Sequence, residues 1–221
     1  MGEWIVDSSW KGDPEEEDKR LTMIPSNVLT KYRMKRDTGQ GLLGLWLTNQ
    51  RIGILASQIG QLLNLRTLGL ENNRIMVLPA EIGNLKRLER LMLSGNNLVD
   101  LPESVSEMKS LRFLTLSRNN FVTFPEQVIN LRRLNHLSLG NNAISVIPSS
   151  IAHLRLLMEL EIENNLFTDE TLSSVPWNNC SKDMIFINIS GNRGVTQVPP
   201  GMLSLPSLEG IKLGNTLINF T

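Results

Sequence analysis

Few side chains in this sequence are candidates for catalysis or ligand binding. Glu159, Glu161 and Glu163 alternate along one short stretch, so an extended backbone would put all three carboxylates on one face. Three carboxylates raise the question of a divalent cation, but a flat strand lacks the loop that wraps such an ion. A basic partner or plain solvation suits the cluster better. The chain has two histidines, His136 and His153, and one cysteine, Cys180. No glycine-rich phosphate loop, metal-ligand spacing or serine-centred nucleophile motif accompanies them. This inventory argues against an enzyme and calls for no cofactor and no metal. Lys86, Lys109, Arg132 and Arg155 recur every 23 residues, thickened by Arg87, Arg112 and Arg133. Such a stripe can meet phosphate or an acidic surface, or it can complement helix ends and keep the molecule soluble.

What must position these side chains is a repeat. Asn73, Asn96, Asn119, Asn142 and Asn165 follow one another at steps of 23 residues. Around each lies the same apolar frame, read as Leu65, Leu68, Leu70, Asn73, Ile75 in one copy and Leu88, Leu91, Leu93, Asn96, Leu98 in the next. One step earlier come Leu42, Leu45, Leu47, Gln50 and Ile52, with Gln in the ladder position. Two looser copies close the chain, one on Met184, Ile187, Ile189 and Asn192, the other on Leu208, Ile211 and Leu213 with Thr216 at the ladder position. That makes about eight coils, enough to stack a continuous core that one repeat could not form alone.

The alternation Leu68, Gly69, Leu70 points both leucines inward from a short strand, and stacked strands make a parallel sheet. The asparagine amide is expected to be buried at the turn that follows, bonding backbone groups the bend would leave unpaired. The return stroke reads Leu78, Pro79, Ile82, Leu85 and is echoed through Ile147, Pro148, Ile151, Leu154. Apolar residues at i, i+4 and i+7 mark a short helical or 3₁₀ segment on the convex side, with proline at its first helical position. The fold class is therefore an α/β solenoid, a horseshoe with a concave parallel sheet.

With its 23-residue period and Leu-Pro-x-x-Ile-x-x-Leu return stroke, the stretch from Leu42 to Phe167 resembles the intracellular Ras-group family of leucine-rich repeat proteins. The resemblance implies a cytoplasmic signalling adaptor or scaffold, and a GTPase or phosphatase complex as the kind of partner. It does not identify the partner, because fold does not fix function. Ala56 stands where the first Leu-Pro pair would place proline.

Charge balances, with 22 basic and 22 acidic residues, so the field of a general nucleic-acid binder is missing. A single cysteine excludes an internal disulfide and favours a reducing compartment. No segment has the apolar length of a membrane span. Residues 1–40 break the repeat and are read as an N-terminal cap and acidic loop, with Trp4 and Trp10 either covering the core or reaching a partner. Leu21, Ile24, Pro25 and Val28 in that segment mimic the back half of a repeat. Residues 41–221 form the solenoid, with a longer irregular repeat at 166–183 that carries Trp177 and Cys180. Sequons at Asn179, Asn188 and Asn219 would admit glycans in a secreted protein.

Function in such an array is expected on the concave sheet, whose outward side chains have no structural duty. Trp46, Arg90, Met92 and Phe113 place large apolar groups and a guanidinium there, types enriched at protein interfaces. His136 and Phe186 fall in the same column as Arg90 and Phe113, and Glu159, Glu161 and Glu163 supply an acidic end with no basic lateral neighbour in the fifth coil. The reading is a non-catalytic interaction module that binds a partner protein on this face. Two alternatives stand beside it. One is a structural subunit of a large assembly docked through its termini; the other is a ribonucleoprotein accessory using the basic stripe, which the balanced charge disfavours.

Overall fold

The computed structural model describes residues 5–6 and 42–218. Among the described residues nine strands form one parallel sheet in strict chain order. They are β1 Ile5–Val6, β2 Gly44–Trp46, β3 Thr67–Gly69, β4 Arg90–Met92, β5 Phe113–Thr115, β6 His136–Ser138, β7 Glu159–Glu161, β8 Phe186–Asn188 and β9 Gly210–Lys212. Through the regular coils each residue pairs with the one 23 later, as in Leu45 with Leu68 and Leu68 with Leu91. The register is forced by the central residue of β2 to β8, a leucine in all but β8, where it is Ile187, and fully buried in each. β1 adds to the N-terminal edge by pairing Ile5 with Gly44 and Val6 with Leu45. Trp4, Trp10, the acidic run, the pseudo-repeat from Leu21 to Val28 and the sequon at Asn219 lie outside the described residues.

The ladder asparagines bind coil to coil. Asn96 donates from Nδ2 to the carbonyl of Leu70 in the preceding coil and to that of Leu93 in its own, both at 2.9 Å. Its Oδ1 accepts from the N–H of Ile75 at 3.0 Å. Because each coil repeats this, successive amides share carbonyls: Leu70 O also accepts from Asn73, and Leu93 O from Asn119. Asn142, Asn165 and Asn192 continue the pattern. All six are buried except Asn142, which is half-buried. At Thr216 the pattern stops, since its hydroxyl bonds only Leu213 O within its own coil.

The residue just before each ladder position turns the chain through the left-handed region. Asn49, Asn72, Gly95, Arg118, Asn141, Asn164, Gly191 and Asn215 all have positive φ, between 50° and 71°. Asparagine and glycine tolerate that conformation; arginine does not, so Arg118 is held against its preference.

On the convex side five 3₁₀ turns run Ser57–Gln61, Ala80–Asn84, Glu103–Glu107, Glu126–Asn130 and Ser149–His153. Proline does not occupy the first helical position as expected from sequence. Pro79 has φ −67° and ψ 147°, which is extended, and it precedes the turn as its cap. Its carbonyl opens the turn by accepting from Ile82 N–H at 3.0 Å. Only an extended backbone is required there, and Ala56, at φ −68° and ψ 147°, adopts the same conformation as Pro79. The longer coil inserts a helix, Asp169–Ser173, with a Thr168 and Thr171 capping box, followed by a 3₁₀ turn at Trp177–Asn179. Trp177 is buried and its Nε1 donates to Leu172 O at 2.8 Å. Cys180 is buried too, and burial pushes its thiol up to about 11. This loop is therefore part of the core.

Candidate functional site

The concave face is built by the outward residues of the strands. Those at the first strand position stand opposite one another across successive strands: Arg90 with Phe113, Phe113 with His136, His136 with Glu159, Glu159 with Phe186. Strand spacing of about 4.8 Å lets planar groups stack along such a row, and they do. The Arg90 guanidinium lies 4.8 Å from the Phe113 ring centroid. The Phe113 and His136 rings are parallel within 10° at 4.2 Å. His136 Nδ1 meets Glu159 Oε2 at 2.8 Å. A carboxylate only accepts, so Nδ1 carries the proton. Four side chains from four strands thus form one continuous line.

Trp46 does not project from the sheet but lies flat upon it. A Cβ added at Gly44 would sit 2.3 Å from its ring, and one at Gly69 would sit 2.8 Å from it. The Met92 methyl borders the same spot, 3.4 Å from that added atom at Gly69. The two glycines therefore make room for an indole platform at the N-terminal end, with Met92 beside it and Arg90 and Phe113 beyond.

The acidic end differs from the sequence expectation. The glutamates are not a bare cluster without a neighbouring cation-forming group, because His136 in the fifth coil engages Glu159. Glu163 folds over Gly140, where a Cβ would collide with its carboxylate, and accepts from Asn188 Nδ2 at 3.2 Å and Asn141 Nδ2 at 3.4 Å. Burial pushes the Glu163 carboxyl above the usual carboxylate range, and the charge of Glu161 pushes the same way. Glu161 stands between Ser138 and Asn188. Among the described residues no three His, Cys, Asp or Glu side chains are placed to hold a metal ion. Phe186 continues the face and carries Lys212 Nζ at 5.4 Å from its ring centroid. His153 lies on the convex turn, away from His136. The six ladder asparagines lie behind the sheet and take no part in this surface.

The basic stripe has internal partners. Lys86 Nζ bonds Glu107, and Lys109 Nζ donates to Ser106 O and to Asn130 O in the next coil. Arg132 and Arg155 donate to His153 O and Asn179 O, again one coil on. Lys109, Arg132 and Arg155 thus complement the carbonyl ends of the following convex turns.

Sequence reasoning did not single out Gly44 and Gly69 as the bed of Trp46, although their columns border it. Nor did it find Arg118, whose signal is an arginine in a turn column otherwise made of asparagine and glycine.

Residues 43–111 match the family described as leucine-rich repeat region, and residues 133–154 match leucine-rich repeat. Among solved structures the chain is similar to an internalin from Listeria monocytogenes, with TM-score 0.68, 23% identity and coverage of 77% of this chain and 47% of that one. It is similar to internalin C2 of the same organism, with TM-score 0.60, 20% identity and coverage of 89% and 93%. The leucine-rich repeat ectodomain of the Arabidopsis thaliana membrane receptor kinase GASSHO1/SCHENGEN3, solved in complex with Casparian strip integrity factor 2, gives TM-score 0.64, 28% identity and coverage of 80% and 22%. The chain thus spans less than half the length of the first internalin and of the receptor ectodomain. No curated protein matches it. Among the described residues no helix is long and apolar enough to cross a membrane.

Proposed function

Because the chain is a leucine-rich repeat protein, we propose that it is a non-catalytic interaction module holding a partner protein on its concave face. The observation that carries this reading is the line Arg90, Phe113, His136 and Glu159, fixed across four strands on the outward face of the sheet. Preorganised aromatic and arginine side chains lose little entropy on binding, which is what hot-spot residues require.

The layout also describes the partner. Trp46, Met92 and Phe113 present apolar and aromatic surface to an apolar side chain. Glu159, Glu161 and Glu163 present negative charge to a basic one. Arg90 stands about three strand spacings from that end, roughly 14 Å, the length of four residues of extended chain. A partner segment with an apolar residue flanked by an acidic and a basic group would match all three. Following the resemblance to Ras-group repeats, a cytoplasmic GTPase or phosphatase complex is the kind of assembly to test first. One similar structure is a membrane receptor ectodomain in complex with a factor, so an extracellular ligand is the competing outcome.

The test is affinity isolation from native extract at moderate salt, comparing the intact chain with the Trp46→Ala and Phe113→Ala double variant. A stoichiometric partner that disappears with the variant supports the concave site. Partners retained by both move the site elsewhere.

A further inference from the structure

The turns that lead from the convex side into β4, β5, β6 and β7 put one sign of charge on one flank. Arg87, Lys109, Arg112, Arg132, Arg133 and Arg155 are all exposed there, with Lys86 at the β4 end. Their rows are contiguous. The N–H of Arg112 donates to Glu89 O and that of Asn135 to Arg112 O, at 2.9 and 2.8 Å, while Asn135 Nδ2 donates to Leu156 O at 2.8 Å. Neighbouring turns thus stand about 5 Å apart. Carboxylates do not balance this charge. Glu89 is taken by Arg66 at 2.8 Å. Glu107 offsets one cation more, its carboxyl held below the usual range by the hydrogen bond and charge of Lys86, with Lys109 adding to it. Among the described residues the other cations form no ion pair. They bond neutral groups instead: Arg87 donates to Asn64 Oδ1, and Lys109, Arg132 and Arg155 donate to carbonyls one coil on. Such bonds fix the position of a charge and leave it undiminished. A chain whose charges sum to zero therefore carries a preorganised cationic band on one flank.

The border of the band decides which polyanion fits it. Leu156 and Met158, on the turn into β7, continue the rows of Arg133 and Asn135 and are 41% and 37% exposed. At the next turn Lys182 comes with Asp183, so the excess of positive charge ends there. Aliphatic surface offers nothing to a phosphodiester backbone. Among the described residues no exposed Phe, Tyr or Trp stands on this flank to stack a base. Guanidinium groups, by contrast, pair with carboxylates through two parallel hydrogen bonds. We propose that this flank binds an acidic segment of another protein, its carboxylates on the arginines and lysines and an adjoining apolar residue on Leu156 and Met158. From Arg87 to Arg155 is three turns, about 14 Å, the span of four residues of extended chain. The flank is separate from the concave line of side chains, so this inference stands whether or not a partner is held there.

Fluorescence anisotropy on the whole chain tests it with three labelled probes. They are a peptide of six glutamates followed by two leucines, the same peptide ending in two serines, and a single-stranded RNA of equal charge. The leucine peptide is expected to bind most tightly, with an affinity that falls as salt rises. Arg112→Glu with Arg133→Glu is expected to weaken it about tenfold more than Arg74→Glu with Arg193→Glu, the same change of charge at exposed positions after the asparagine turns. Leu156→Ser with Met158→Ser is expected to cost the leucine peptide about fivefold and to leave the serine peptide unchanged. Urea unfolding checks that each variant folds as the parent does. Equal losses from the two charge reversals would overturn the proposal. So would a leucine peptide that does not bind, or RNA that binds more tightly than either peptide and is indifferent to Leu156 and Met158.

Discussion

Replacing Asn96 with alanine removes three hydrogen bonds whose consequences differ. The Leu70 and Leu93 carbonyls each keep one amide partner, from Asn73 and Asn119. The Ile75 N–H loses Asn96 Oδ1, the acceptor it holds at 3.0 Å. One orphaned buried N–H costs about 1–3 kcal/mol and two lost bonds to carbonyls that stay partly satisfied cost about 0.5–1 each, so Asn96→Ala is expected to cost roughly 2–5 kcal/mol. Asn96→Asp discriminates further. Its carboxylate still accepts from Ile75 but turns an oxygen toward two carbonyls, so at neutral pH it is expected to be less stable than Asn96→Ala. Acidification should narrow that gap as the carboxyl gains a proton to donate. Urea unfolding followed by circular dichroism measures all three chains, with the slope checked for loss of cooperativity in a repeat array. A cost below about 1 kcal/mol for alanine, or an aspartate variant as stable as the parent at neutral pH, would refute the ladder's assigned role.

Arg118 sits at φ 54° in a column otherwise filled by asparagine and glycine, so Arg118→Gly or Arg118→Asn is expected to raise stability by about 0.5–1 kcal/mol. A fall in the urea midpoint would contradict this. Glu163 is pushed by burial above the usual carboxylate range, so the folded state disfavours its ionised form. Its contribution to stability is fully present below the unfolded carboxylate pKa and is lost as pH rises through the folded one. Glu163→Gln is therefore expected to gain on the parent as pH climbs from the carboxylate range to neutrality, and a difference that shrinks over that range would show the sign to be wrong.

The parts legible in the sequence are those where one residue type does one job in every coil. The asparagine ladder and the buried leucines repeat because each coil meets the same backbone geometry, so period and identity predict position. Proline was misplaced by one residue because its fixed φ suits both the first helical position and the extended cap before it. The site is less legible because it depends on lateral neighbours 23 residues apart. That Trp46 lies flat follows only when Gly44 and Gly69 are seen on either side of it. The pairing of His136 with Glu159 joins neighbouring strands, and a neutral imidazole donor carries no charge signal in the sequence. β1 at Ile5–Val6 carries no repeat spacing, since 37 residues separate Val6 from Gly44 in the chain, so periodicity could not find it.

If a partner protein is held by the concave line of side chains, its affinity must depend on them, and this is measured on the isolated partner. Titration by calorimetry would compare the parent chain, the Trp46→Ala and Phe113→Ala double variant, and Arg132→Ala on the convex stripe. With two aromatic hot-spot residues at about 2 kcal/mol each, the double variant is expected to bind more than a hundredfold more weakly while Arg132→Ala binds as the parent does. Unchanged affinity in the double variant, with loss confined to Arg132→Ala, would place the site on the convex stripe instead.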